Sequence, residues 1–109
     1  MIEQRLDRAS RTLKLVFPGD VLSTNAAKLK EEALAALSGS LALTAGWDWV
    51  EADLSAAKMV DSVGLNLLVA VIRAAHQQNK KMRIRTASSH VRRALKFTRL
   101  DQMAEVVGA

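Results

Sequence analysis

Hydrophobic and polar positions alternate at the start of the chain. Ile2, Gln4 and Leu6 fall on one side, and Glu3, Arg5 and Asp7 on the other. Alternation returns over residues 12–17, with Leu13, Leu15 and Phe17 opposite Lys14. A period of two places alternate side chains on opposite faces of a strand, so the two runs predict a hairpin turning at Ala9-Ser10. Pro18-Gly19-Asp20 ends the second strand. The period then changes. Ala26, Leu29, Ala33, Ala36 and Leu37 recur at three- and four-residue steps, which predicts an amphipathic helix. Ser23, Thr24 or Asn25 can cap it, and Ser38-Gly39-Ser40 ends it. Residues 41–48 show no pattern that assigns them. Alternation resumes with Val50, Ala52 and Leu54 against Trp49, Glu51 and Asp53.

A second helix is expected from Ser62 or Val63 to Gln78. It is apolar nearly all round, through Leu65, Leu67, Leu68, Val69, Val71 and Ile72, and should be the most buried helix. Met82, Ile84 and Thr86 against Arg83 and Arg85 predict a fourth strand. Ser88 or Ser89 can cap a third helix, with Val91, Ala94, Leu95 and Thr98 inward and Arg92, Arg93, Lys96 and Arg99 outward. The tail offers a short helix near Asp101 and a last strand near Glu105–Val107. The order β-β-α-β-α-β-α implies an α/β fold: a mainly parallel sheet of four to five strands with an N-terminal hairpin. Strands covered on both faces read as continuous apolar runs, and these alternate instead. The helices should therefore pack on one face. Glu3, Arg5, Lys14, Glu51, Asp53, Arg83 and Arg85 should line an open second face.

With 109 residues, the chain fits a single domain over 1–109. It has no cysteine, which excludes disulfides, thiolate metal sites and a cysteine nucleophile. Met1-Ile2-Glu3-Gln4-Arg5 lacks an apolar signal region, and the run from Leu65 to Ala75 is too short to span a bilayer. A cytoplasmic location is expected. The net charge of +5 is unevenly spread: residues 62–100 carry nine Lys/Arg and no acid. The Arg92, Arg93, Lys96 and Arg99 face is either a solvated surface or a site for an acidic protein. Nucleic acid ranks behind both, because aromatics are only 4% and no recognition motif is present.

The chemistry concentrates where the third strand gives way to the second helix. Asp61 is a suitable N-cap, since its carboxylate can accept from free amides of the first turn. Gly64 leaves room for another backbone to approach. Ser62 then stands at an exposed helix start. The run Val50-Glu51-Ala52-Asp53-Leu54-Ser55-Ala56-Ala57-Lys58-Met59-Val60-Asp61-Ser62-Val63-Gly64-Leu65-Asn66 resembles the STAS family of anti-sigma-factor antagonists. That family's pattern is a strand ending Asp-Leu-Ser, a short loop, then Asp-Ser-Ser/Thr-Gly-Leu-Gly. Phe17-Pro18-Gly19-Asp20-Val21 resembles its turn before the first helix, and Val91 to Asp101 its final stretch. Val63 departs from the usual hydroxyl residue, Asn66 from the second glycine, and Arg99 from the glycine before Leu100.

The resemblance implies a STAS-like fold and a partner switch in bacterial transcription regulation. Unphosphorylated, the protein would bind an anti-sigma factor that is also a serine kinase. Phosphorylation of Ser62 would end binding, and a serine phosphatase would restore it. The implied partner surface is Asp61, Ser62, Val63, Gly64, Leu65 and Asn66, with Asp20, Ser23 and Thr24. The alternative is a STAS subunit that docks an ABC-type ATPase in a lipid or solute transport complex without phosphorylation. No enzyme, cofactor or metal site is expected. His76 would lie about four turns, roughly 20 Å, from Ser62 along one helix, too far for a triad. Two histidines without cysteine make a poor metal set. Asp20, Asp53 and Asp61 do not follow a phospho-aspartate receiver's order. Trp47 and Trp49 read as packing or edge residues. Oligomeric state is left open.

Overall fold

The alternating segments form five strands and the three- to four-residue repeats form helices, in a computed structural model that describes residues 1–39 and 46–108. β1 (Glu3–Asp7) and β2 (Thr12–Val16) make the hairpin. α1 (Ala26–Leu37), β3 (Trp49–Asp53), α2 (Ser62–Gln77), β4 (Lys81–Thr86) and α3 (Ser89–Phe97) follow. A 3₁₀ turn at Leu100–Gln102 leads into β5 (Glu105–Gly108). The strands lie in chain order, β1-β2-β3-β4-β5. Among the described residues only the hairpin pair is antiparallel, as expected, and the tail adds a fifth strand parallel to β4. Most of the unassigned 41–48 connection lies outside the described residues.

One sheet face is closed by helices. Leu13, Leu15, Val50, Ala52 and Ile84 have no exposed surface, and α1 and α2 pack on one another and over this core through Leu29, Ala33, Leu67, Leu68, Val71 and Ile72. Each large apolar side chain so enclosed contributes about 1.5–3 kcal/mol. α2 is less evenly enclosed than its apolar composition predicts. Leu65 and Val69 are half-buried and Val63 is 42% exposed. On α3, Val91 and Leu95 are buried as expected, but Thr98 is exposed. Its hydroxyl bonds back to the Ala94 carbonyl at 2.8 Å, because the helix ends there.

The opposite face is open and charged, with one departure. Arg5, Lys14, Glu51, Arg83 and Glu105 stand in one cross-strand row. Glu51, at its centre, is only 2% exposed. Lys14, Arg83 and Arg85 fold over it at 3.5, 3.5 and 3.1 Å. Three cations beside one carboxylate enclose it under their aliphatic stems. Trp49 belongs to the same face, half-buried beneath the Arg83 guanidinium, 4.3 Å from its ring centre. Trp47 is buried.

Candidate functional site at the start of the second helix

Two loops meet at the N-terminus of α2, and two aspartates join them. The β2–α1 loop runs beside the segment before α2, with Val21 and Val60 in a parallel bridge. Val21 donates to the Met59 carbonyl, and Asp61 donates to the Val21 carbonyl, both at 3.2 Å. Asp20 Oδ1 accepts from the Lys58 and Met59 amides at 2.7 and 3.2 Å. Asp61 caps α2 by accepting from the Gly64 amide through Oδ1 at 2.9 Å. Its Oδ2 accepts from the Ser23 amide at 2.7 Å. These amides, Gly64 first and Ser23 next, hold the Asp61 carboxyl below the usual carboxylate range against a partial desolvation cost.

Gly64 makes this junction possible. A Cβ there would lie 2.3 Å from the Val21 carbonyl oxygen and 2.7 Å from a Val60 methyl. The close approach expected for Gly64 is therefore real, and the approaching backbone is that of Val21. Asn25, not Ser23 or Thr24, occupies the N-cap position of α1, and its side chain does not cap. Its Oδ1 accepts from the Leu22 amide at 2.9 Å, while Nδ2 donates to the Asp20 carbonyl at 2.9 Å. Asn25 thus shapes the loop that carries Asp20 and Ser23. Sequence reasoning missed this role, although an asparagine three residues past a possible turn start was the available signal.

The expected surface divides by depth and direction. Ser62, Val63, Asn66, Ser23 and Thr24 are exposed, while Asp61 and Asp20 are half-buried and Gly64 is buried. Val63 and Asn66 line a shallow groove against α1 with Ser23, Ala27 and Lys30. Leu65 faces the other way and lines a separate groove against α3. Asp20 and Gly64 act as framework. Ser62 is the sole side-chain hydroxyl from Asp61 through Asn66, and it stands in the first helical turn with its surface free. Among the described residues no group of three His, Cys, Asp or Glu could hold a metal, and no helix is long and apolar enough to cross a membrane.

Known proteins share this architecture. A candidate anti-sigma factor antagonist from Thermotoga maritima superposes with a TM-score of 0.81 at 17% identity, covering 99% of this chain and 86% of the other. An anti-sigma factor antagonist from Mycobacterium paratuberculosis gives 0.76 at 20% identity, over 98% and 86%. The anti-sigma factor antagonist SpoIIAA in its unphosphorylated form gives 0.64 at 12%, over 89% and 83%. At these identities the likeness is one of fold. No curated protein matches the sequence. A family model described as "Mlab, STAS domain" matches residues 4–108, and with the mainly parallel sheet, the hairpin and the Asp61-capped helix start it shows that the chain belongs to the STAS domain family.

Proposed function

We propose that this chain is an anti-sigma-factor antagonist that acts in the cytoplasm by partner switching. Unphosphorylated, it binds an anti-sigma factor with serine kinase activity through the α2 start. Phosphorylation of Ser62 ends the binding, and a phosphatase restores it. The observation that carries this reading is Ser62 itself: exposed, in the first turn of α2, on a frame locked by Asp61 and Gly64. The fold shared with the antagonists above supports it.

The electrostatics explain why a phosphate here would act on a partner rather than on the fold. A phosphoserine adds about −1.5 to −2 charges. A helix N-terminus attracts anions. Here the Asp61 carboxylate already accepts from the Gly64 amide, so a second anion finds the helix end occupied and a like charge beside it. The phosphate would project outward, into any surface seated on Ser62. Incubation with the cognate kinase and ATP, followed by mass spectrometry, should place phosphate on Ser62. Phosphate elsewhere, with Ser62→Ala still modified, would overturn the assignment.

The alternative is a STAS subunit docking an ABC-type ATPase, with no phosphorylation step. The family matched over residues 4–108 is described as a STAS domain and not as an antagonist, so the α2 surface can dock a partner without a phosphorylation switch. It uses the same α2 surface. Copurification with an ABC-type ATPase, with Ser62 unmodified in the purified protein, would select it.

A further inference from the structure

Phe97 closes α3 with 89% of its surface exposed. It stands beside a groove of about 340 Å³ between α2 and α3, lined by Leu65, His90, Arg93, Ala94, Phe97 and Thr98. Leu65 and Ala94 there are only half-buried. An aromatic ring in water next to an unfilled apolar groove is the composition of an interface anchor.

The charges around it are one-sided. Arg92, Arg93, Lys96 and Arg99 are exposed, and none joins an ion pair among the described residues. The cations Lys14, Arg83 and Arg85 of the sheet face, by contrast, are all engaged by Glu51. No acid occurs from residue 62 to residue 100.

We propose that the α2–α3 groove docks an acidic segment of a protein partner. One large apolar side chain of that segment enters between Leu65 and Phe97, and flanking carboxylates pair with Arg93 and the neighbouring cations. Charge complementarity selects this occupant. A nucleic acid would satisfy the cations but leave the apolar groove empty. A bilayer would take Phe97, yet the apolar stripe of α3, Val91 and Leu95, already faces the core and cannot insert. Leu65 lies within one turn of Ser62, so a partner seated at the α2 start could reach this groove too. Docking here requires no phosphorylation.

A library of short random peptides displayed on phage and panned on the full-length protein tests this directly. Enriched peptides should be rich in Asp and Glu around a Leu, Phe or Trp. They should bind Phe97→Ala and Arg93→Glu at least tenfold more weakly than wild type, and should bind Ser62→Ala as well as wild type. Phe97 is too exposed for its loss to alter the fold, and an unchanged thermal midpoint would verify that. Enriched peptides that are not acidic, or that bind Phe97→Ala and wild type equally, would overturn the proposal. So would tighter, Phe97-dependent binding to vesicles of phosphatidylcholine and phosphatidylglycerol or to a random DNA duplex, which would assign the surface to a membrane or to nucleic acid.

Discussion

Adding a single methyl group at Gly64 should reverse the usual effect of such a change. Gly→Ala inside a helix ordinarily stabilises by up to about 1 kcal/mol, and by less in a first turn. Here the new Cβ would sit 2.3 Å from the Val21 carbonyl oxygen, 2.7 Å from a Val60 methyl and 3.1 Å from the Val21 carbonyl carbon. Two of these atoms are backbone, so no side-chain rotation relieves the clash. The β2–α1 loop must move, weakening the Asp61-to-Val21 bond at 3.2 Å and the Ser23-to-Asp61 bond at 2.7 Å. Overpacking costs about 1–3 kcal/mol, and a strained hydrogen bond adds about 1. The net expectation for Gly64→Ala is a loss of about 2–3 kcal/mol in urea unfolding, with faster hydrogen exchange at the Ser23 amide. Gly19→Ala is the matched control. Nothing lies within 4 Å of its Cβ position and its φ is not positive, so stability should be unchanged or slightly higher. A Gly64→Ala protein as stable as wild type would refute the packing account of the junction.

Acidification should loosen the same junction. Asp61 is held below its ordinary pKa, so its contribution is fully present above that ordinary value and is lost as pH falls through the depressed folded value. Asp61→Asn, with one acceptor oxygen for two amides, should be less stable at neutral pH and show a shallower acid limb in denaturation; equal acid limbs would contradict the bonding described. Glu51→Gln leaves Lys14, Arg83 and Arg85 crowded without their shared anion, and should cost about 2–3 kcal/mol after allowing for the partial exposure of the cations. A loss of unfolding free energy in urea under about 0.5 kcal/mol would show the cluster to be an ordinary surface network. Arg99 holds φ 62° at the end of α3, where its family pattern has glycine. Arg99→Gly should therefore gain about 0.5–1 kcal/mol in thermal or urea unfolding, and Arg99→Ala should not.

Much of the fold was legible because burial here obeys simple periods. Leu13, Leu15, Val50, Ala52, Met82 and Ile84 alternate with polar residues and all face the helices. The α2 start was legible because Asp61 and Gly64 each do what their chemistry suggests: one caps, the other admits a backbone. The partner that exploits Gly64, Val21, lies about forty residues earlier in the chain, and no local pattern could name it. Alternation places Glu51 on the open face, but it gives the direction of a side chain and not its depth; the depth comes from two cations on β4 and one on β2. The expected partner surface proved divided for a related reason. Helical spacing sends Leu65 toward α3 and sends Val63 and Asn66 toward α1, while Asp20 is spent on its own chain. The exposure of Phe97 ran against its residue type, since an aromatic at the end of an amphipathic helix normally turns inward.

We infer that the start of α2 is a docking surface controlled at Ser62. Its most direct test is the affinity of the cognate anti-sigma factor, measured by calorimetry, for the unmodified protein and for the protein phosphorylated at Ser62. The two forms should have superposable circular dichroism and equal thermal stability. Phosphorylation should lower the affinity at least tenfold, about 1.4 kcal/mol. Equal affinity of the two forms would contradict it.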